Sequence, residues 1–313
     1  MAIIKKNTTK LDTDGVGIIM LLYGAPGVGK TTLACSADKA FVLDCDKGIK
    51  RVNVAHRADY SDAKTYTDIL ADVDEAKNAG YETLVIDTVG ALLDSMTQSI
   101  IESNPKAAQA DGTLTLKAYG TLKNLFLSFS AMVRANFKNT IFVCHEYASR
   151  DGDNVFYDLV VAGSTKQLLW QPVDLGARLH IRNTKRYLGF TPTEEYNAKS
   201  SFGIKGLIEV PELDVGDKND FLSQLFARVR ENIAKECEVL GEKTTKYEEV
   251  MKQGKELVAA VTKPEDVQPV LDAIAQLPHE LTSEKEIKSA LKKKLAELNI
   301  TFDKTTKSYV VKE

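Results

Sequence analysis

The chain is poor in the features that mark several large protein classes. Its four cysteines, Cys35, Cys45, Cys144 and Cys237, lie far apart with no CxxC pair. That spacing excludes a small disulfide framework and a cysteine zinc site, and it suits free thiols in a reducing compartment. No apolar run approaches the ~20 residues of a membrane helix. The opening MAIIKKNTTK lacks the apolar stretch of a secretion signal. Proline is sparse at 8 residues and glycine at 19 in 313, too few for a collagen-like or low-complexity chain. A surplus of one charge is also missing. Lys and Arg number 41 against 44 Asp and Glu, so the net charge of -3 excludes a uniformly basic nucleic-acid coat while allowing a local basic channel. The expectation is an intracellular, cytoplasmic protein without a membrane partner.

What is present alternates. Short runs rich in Ile, Val and Leu at 18–23, 41–43, 84–86 and 141–144 read as strands buried on both faces. Between them Tyr66, Ile69, Leu70, Val73 and Ala76 recur at helical spacing, with Gly80 as a stop. Leu116, Tyr119, Leu122, Leu125, Phe126, Phe129, Met132 and Val133 form a stronger stripe that reads as a core-facing helix. Strands alternating with helices predict an α/β fold with a mostly parallel sheet. Residues 155–161 and 175–190 predict an antiparallel extension. From about residue 220 the chain reads as helices: a first one carrying Phe221, Leu222, Leu225, Phe226 and Val229, then 246–261, 265–276 and 284–298, punctuated by Pro264 and Pro278. The expected organisation is a loose arm over 1–14, a core over 15–212 and a helical C-terminal region over 213–313. The run Lys292, Lys293, Lys294 reads as a solvated helix face.

One stretch carries the chemistry. Gly24-Ala25-Pro26-Gly27-Val28-Gly29-Lys30-Thr31-Thr32 matches G-x-x-x-x-G-K-[ST] in full, with a strand before it and an amphipathic segment after it. Its glycines let successive backbone N–H groups turn around a phosphate. Lys30 is placed to reach β- and γ-phosphates, and the Thr31 hydroxyl to ligate Mg²⁺. Asp87 ends the apolar strand LVID, at the sheet edge where α/β ligands bind, and is the second candidate for the metal shell. No N-K-x-D sequence follows to read guanine, so ATP is the expected nucleotide. Thr88 stands where many ATP motors carry a water-activating Glu. The strand FVLDCD supplies carboxylates instead. Asp44 and Asp46 share a face, and Asp46 lies farther out, so Asp46 is the candidate for positioning or deprotonating the attacking water. The strand 140–144 delivers His145 and Glu146 to the same edge, where a polar group could sense the γ-phosphate. A zinc-protease reading fails because Ser149 replaces the second His of H-E-x-x-H.

The order GAPGVGKTT, FVLDCD, LVIDTVGALLDSM, TIFVCHE and GSTKQLLWQPVDLGARLHI resembles the ATPase core of RecA-type recombinases. It is most similar to compact phage-encoded, AAA-type RecA-like ATP-binding proteins associated with single-strand annealing, over residues 15–202. The resemblance implies a RecA-like P-loop core, with Asp46 in place of the usual catalytic Glu and His145 in place of the usual amide sensor. It implies a DNA-stimulated ATP hydrolase acting in recombination, in the host cytoplasm, and self-association into a ring or filament. It places two single-stranded DNA-facing loops near 103–115 and 146–171. Lys166, Arg178, Arg182, Lys185 and Arg186 are candidates for phosphate contacts, and Tyr147, Tyr157 and Trp170 for base stacking. Lys185 and Arg186 are further candidates to reach a neighbouring subunit's ATP. Two competing readings are a loader that remodels a protein partner through its C-terminal region, and a small-molecule kinase, against which the lack of an arginine-rich lid between 151 and 165 counts.

Overall fold

The computed structural model describes residues 17–161, 165–213, 216, 219–304 and 306–311; the arm expected over 1–14 lies outside them. The chain divides into two compact units, one reaching Ile233 and one starting at Ala234.

The first unit is built on a ten-stranded sheet. Its strands are β1 (Ile18–Gly24), β2 (Ala40–Asp44), β3 (Asp59–Ser61), β4 (Thr83–Asp87), β5 (Asn139–Asp151), β6 (Asn154–Leu159), β7 (Leu175–Arg182), β8 (Lys185–Gly189), β9 (Lys199–Ser200) and β10 (Leu207–Val210). The main path runs β10-β8-β7-β1-β5-β4-β2-β3. From β3 to β7 every neighbour on that path is parallel, and β8 and β10 add the antiparallel edge. This is the mostly parallel sheet with an antiparallel extension that the alternation predicts. All seven residues of β1 and all five of β4 are buried, which explains why their sequences are unbroken apolar runs.

Helices α1 (Lys30–Ala34), α2 (Tyr66–Asn78), α3 (Val89–Ser103), α4 (Leu116–Asn136) and α5 (Thr165–Trp170) connect the strands. A capping box between Thr65 and Asp68 starts α2, and Gly80 at φ 84° follows its end. Thr88 and Thr115 cap α3 and α4. The α4 stripe is narrower than its spacing suggests. Ala118, Leu122, Phe126, Phe129 and Val133 are buried, whereas Leu116 is 93% exposed at the helix's first position, ahead of the turn that meets the core.

Two segments differ from expectation. Most of the described residues of 146–171 are ordered elements rather than an open loop: β5 runs on past the sheet and pairs with β6 as a hairpin, and 165–170 form α5. Nor are 103–115 unstructured, since an Ala108–Leu114 bridge closes them into a compact turn. Both segments read as loops because their Gly, Asp and Asn residues mark the reversals while local pairing organises the rest.

α6 (Phe221–Ala259) is one helix where two were expected, because no proline interrupts it. Its first turns belong to the sheet unit: Leu222 N–H donates to Ser36 Oγ and Arg230 to the Lys138 carbonyl. The second unit holds the rest of α6 with α7 (Val267–Ala275), α8 (Ser283–Glu297) and a hairpin of β11 (Ile300–Asp303) and β12 (Ser308–Val311). Among the described residues no helix is long and apolar enough to cross a membrane.

Gly24 ties the sheet register to the loop that follows. It lies opposite Leu179 of β7, and a Cβ at position 24 would sit 2.2 Å from the Leu179 carbonyl oxygen. Backbone cannot yield as a flexible side chain does. Gly24→Ala is expected to destabilise the sheet unit by at least about 1–3 kcal/mol, read as a lowered urea midpoint with unchanged m-value.

Candidate active site

The parallel strands deliver their C-terminal ends to one edge, where residues from β1, β2, β4 and β5 converge. The loop after β1 rises to a solvent-exposed crest at Ala25, Pro26 and Gly27, then is pinned by buried Val28. Gly29 caps α1 at φ 97°, a left-handed conformation that directs the following N–H groups into the loop. α1 has only five residues, shorter than the amphipathic segment the sequence suggests, so loop amides rather than a long helix dipole shape this cradle. Thr32, half-buried, lies on it beside Thr31.

Lys30 is only 5% exposed. Its ammonium donates to the carbonyls of Gly24 (3.0 Å) and Ala25 (2.9 Å) and lies 3.3 Å from His145 Nδ1. Burial lowers its pKa, and the nearby Asp87 carboxylate opposes that shift.

Three acids cluster at the ends of β2 and β4, and the charges of two of them, Asp87 and Asp46, act on Lys30. Asp44 and Asp87 are register partners on adjacent strands, and oxygens of Asp44, Asp46 and Asp87 lie within 4.8 Å of one another. Their environments separate them. Asp44 accepts backbone N–H bonds from Gly48 (2.7 Å) and Ile49 (3.2 Å), so its carboxylate closes the turn after β2. Asp87 accepts from the Thr31 hydroxyl at 2.6 Å. Burial pushes the Asp87 pKa up to about 6; the Thr31 bond holds it down, and the Asp46 and Asp44 charges raise it further. Asp46 keeps one buried oxygen, Oδ1, with no hydrogen-bond partner, and its Oδ2 lies 3.5 Å from His145 Nε2. His145 thus bridges Lys30 and Asp46. Burial, then the Lys30 charge, lowers its pKa against the pull of Asp46, which favours a neutral ring holding its proton toward the acid.

The donor set fits a magnesium nucleotide. Thr31 and Asp87 offer a hydroxyl and a carboxylate oxygen side by side, hard ligands of the kind Mg²⁺ takes through one or two protein groups. The unpartnered Asp46 oxygen supplies a buried acceptor beside them.

The basic candidates beyond this edge are engaged differently than expected. Arg178 is not a free phosphate contact. It forms a bidentate pair with Glu146 (2.7 and 3.0 Å), both side chains under a tenth exposed, and stacks 3.5 Å over the Tyr157 ring. A charge buried on β7 needs a partner, and Glu146 on the outgoing end of β5 provides one. Arg186 donates to the Val28 carbonyl of its own loop (3.0 Å). Lys185 pairs with Glu209, and Lys166 with Asp158 and the Tyr147 hydroxyl. Trp170 packs over Gly176 and edge-on to Tyr23. Tyr147, at 42%, stays exposed, as does Arg182. The Glu146–Arg178 pair and the Arg186 brace went unseen in the sequence because each joins residues more than thirty positions apart; the only signal was their alternation with buried strand positions.

Residues 17–202 match the AAA domain family. The chain belongs to that family. Its P-loop sequence, the Thr31–Asp87 contact and the mostly parallel sheet agree with an AAA ATPase domain, a class whose work is nucleotide binding and hydrolysis. Among solved structures, a KaiC-like protein from the hyperthermophilic archaeon Pyrococcus horikoshii OT3 is similar at 15% identity and a TM-score of 0.33, over 63% of this chain and 91% of that one. A likeness so distant assigns nothing further to this AAA domain. No curated protein matches the chain.

The acid cluster has a stability cost that can be measured. Because the folded Asp87 pKa lies above the ordinary 3.8, the penalty for its charged form builds as pH rises from about 4 to about 6, is full above that, and vanishes below the unfolded value. Asp87→Asn, without nucleotide, is expected to gain about 1–3 kcal/mol at pH 7.5 and to lose that gain near pH 4. Denaturant titrations at the two pH values check it.

Proposed function

We propose that this AAA domain protein is an ATP·Mg²⁺-dependent ATPase that self-associates on single-stranded DNA and promotes annealing or strand pairing. The observation that carries the ATPase half is the contact chain Asp46–His145–Lys30 set beside the Thr31–Asp87 bond. Nucleophile activation, phosphate binding and metal ligation are thereby assigned to five side chains on one sheet edge.

In this reading the amides of residues 24–32 cradle the phosphates, and Lys30 exchanges the Gly24 and Ala25 carbonyls for β- and γ-phosphate oxygens. Thr31 and Asp87 hold Mg²⁺, which neutralises charge on those oxygens when bound. Asp46 orients a water in line with the γ-phosphorus and accepts its proton as the new P–O bond forms. The bond to the β-phosphate oxygen breaks, leaving ADP and phosphate. The shorter Asp, in place of Glu, keeps its carboxylate close to the strand end and within reach of His145. His145 touches both the acid and the phosphate-binding lysine, so loss of the γ-phosphate alters the two contacts of a residue one position before Glu146 and the β5–β6 hairpin.

The DNA half rests on the resemblance to annealing ATPases and on surface features. A groove of about 740 Å³ lies between the 112–114 turn and the hairpin, lined by Tyr119, Tyr147 and Lys166 among others. An aromatic beside a lysine suits a stacked base and its phosphate. Arg178, Arg186 and Trp170 make contacts within the chain, so this reading puts the strand against Tyr147, Lys166 and Arg182. A protein-loading ATPase is the competing reading, in which the second unit grips a protein partner.

Lys30→Ala is expected to abolish nucleotide binding. Asp46→Asn is expected to lower kcat at least about 100-fold while leaving ATP affinity near wild type. Phosphate release with and without oligonucleotide, together with fluorescence anisotropy using a non-hydrolysable analogue, tests the DNA half. Binding that needs the analogue, and turnover that rises steeply with protein concentration, are the expected results. Analogue-independent or absent single-strand binding at low salt overturns the DNA assignment and leaves the ATPase assignment standing.

A further inference from the structure

The second unit folds around Val250, Val258, Val261, Val267, Val270, Ile274, Ile287, Leu291 and Ile300. Its helices cross closely: Ile287 of α8 packs against Gly254 of α6, where an added Cβ would lie 2.2 Å from Ile287 Cδ1. The turn from α7 to α8 is locked by His279, whose Nε2 lies 2.7 Å from the Ile274 carbonyl and whose Nδ1 lies 3.2 Å from the buried Ser283 hydroxyl. The Glu280 N–H donates to the same hydroxyl at 3.1 Å. β11 and β12 follow α8 as an antiparallel hairpin. Three helices, the last two joined by the 276–282 turn and followed by a two-stranded hairpin, follow the element order of a winged helix–turn–helix, with a turn longer than the usual roughly three or four residues.

Charge is segregated on it. Residues 283–311 hold seven lysines against four acids, while 234–282 hold six lysines against ten acids. Ser283, Ile287 and Leu291 turn α8 into the core. At about 100° per residue the opposite face carries Lys285, Lys288, Ser289, Lys292, Lys293 and Ala296, all exposed. No acid interrupts it. Glu286 is drawn aside by hydrogen bonds from the Tyr247 and Thr282 hydroxyls. Glu284 pairs with Lys288 at 2.6 Å, an exposed contact of little energetic weight. Lys304 and Lys307 add charge at the hairpin tip.

We propose that α8 is a recognition helix that enters the major groove of double-stranded DNA, with the β11–β12 tip on the flanking backbone. The solvated face expected for Lys292 and Lys293 is thereby given a partner. A helix with its side chains is about 10–12 Å across, and the groove is about 12 Å wide. Ser289 and Ala296 on the outer face are small enough for the helix to approach base edges, while the lysines around them meet phosphates on both groove walls. A single strand offers no groove of that width. A membrane surface calls for an exposed apolar face beneath the lysines, whereas the apolar face of α8, Ile287 and Leu291, is buried in the core of the unit. This site is independent of the nucleotide edge and stands or falls without it.

The test uses the full chain without nucleotide. Anisotropy is measured with a labelled duplex of about 20 base pairs, with the matching single strand, and with phosphatidylserine vesicles as competitor. Lys285→Glu/Lys292→Glu/Lys293→Glu is expected to weaken duplex binding at least about tenfold and to flatten the dependence of log K on log salt by about three. Lys30→Ala is expected to bind duplex as wild type does. The charge-matched Lys243→Glu/Lys246→Glu/Lys252→Glu on α6 is the control, and circular dichroism melting verifies folding. If the reversal variant melts early, Lys285→Gln/Lys292→Gln/Lys293→Gln replaces it, with the same direction expected. Unchanged duplex affinity, an equal loss in the control, or a loss confined to vesicles or to the single strand overturns the proposal.

Discussion

A buried ammonium facing buried carboxylates organises the sheet edge. Lys30 has almost no exposed surface, and Asp44 and Asp87 have as little. Unpaired, such charges cost several kcal/mol each. Each is therefore held by a specific contact: Lys30 by two carbonyls and His145, Asp44 by two turn amides, Asp87 by the Thr31 hydroxyl. Those contacts determine where the loop after β1 lies and which oxygens remain available. The raised Asp87 pKa is the mark of a carboxylate kept in a dry site, where burial penalises its charge.

The sheet explains why these groups meet. β5 lies between β1 and β4, so its end brings His145 up against the loop of one and the acids beyond the other. The same strand then leaves the sheet as half of a hairpin, anchored by Glu146 to Arg178 of β7. One strand thus carries the residue that touches Lys30 and Asp46, the buried ion pair and the exposed Tyr147, in direct succession. A change at the phosphate edge has a short covalent route to the surface proposed for the single strand.

The second unit spends its apolar residues on a small separate core and its lysines on one face. Its acidic and basic halves nearly cancel in the net charge, which is why the whole-chain balance says nothing of a basic surface. Only the helical placement of α8 sorts Lys285, Lys288, Lys292 and Lys293 onto the side away from Ile287 and Leu291.

Much of the fold was legible because its signals are local. Unbroken apolar runs marked β1 and β4, apolar stripes at helical spacing marked α2 and α4, and the Gly24–Thr31 spacing marked the loop. Asp46 could be picked over Asp44 by its outward position, but not the turn that occupies Asp44. β2 ends at Asp44, Asp46 lies in the turn beyond it, and the fold of residues 48–49 back onto Asp44 leaves Asp46 the freer acid. The fates of Arg178 and Arg186 were hidden for the same reason: a positive charge reads alike whether it meets solvent, a buried glutamate or a loop carbonyl. Local pattern determined the elements and the phosphate loop, since backbone geometry and burial act over a few residues. Tertiary structure decided which charges are spent inside the protein and which remain for a partner, because pairing depends on distances between strands and helices remote in the chain.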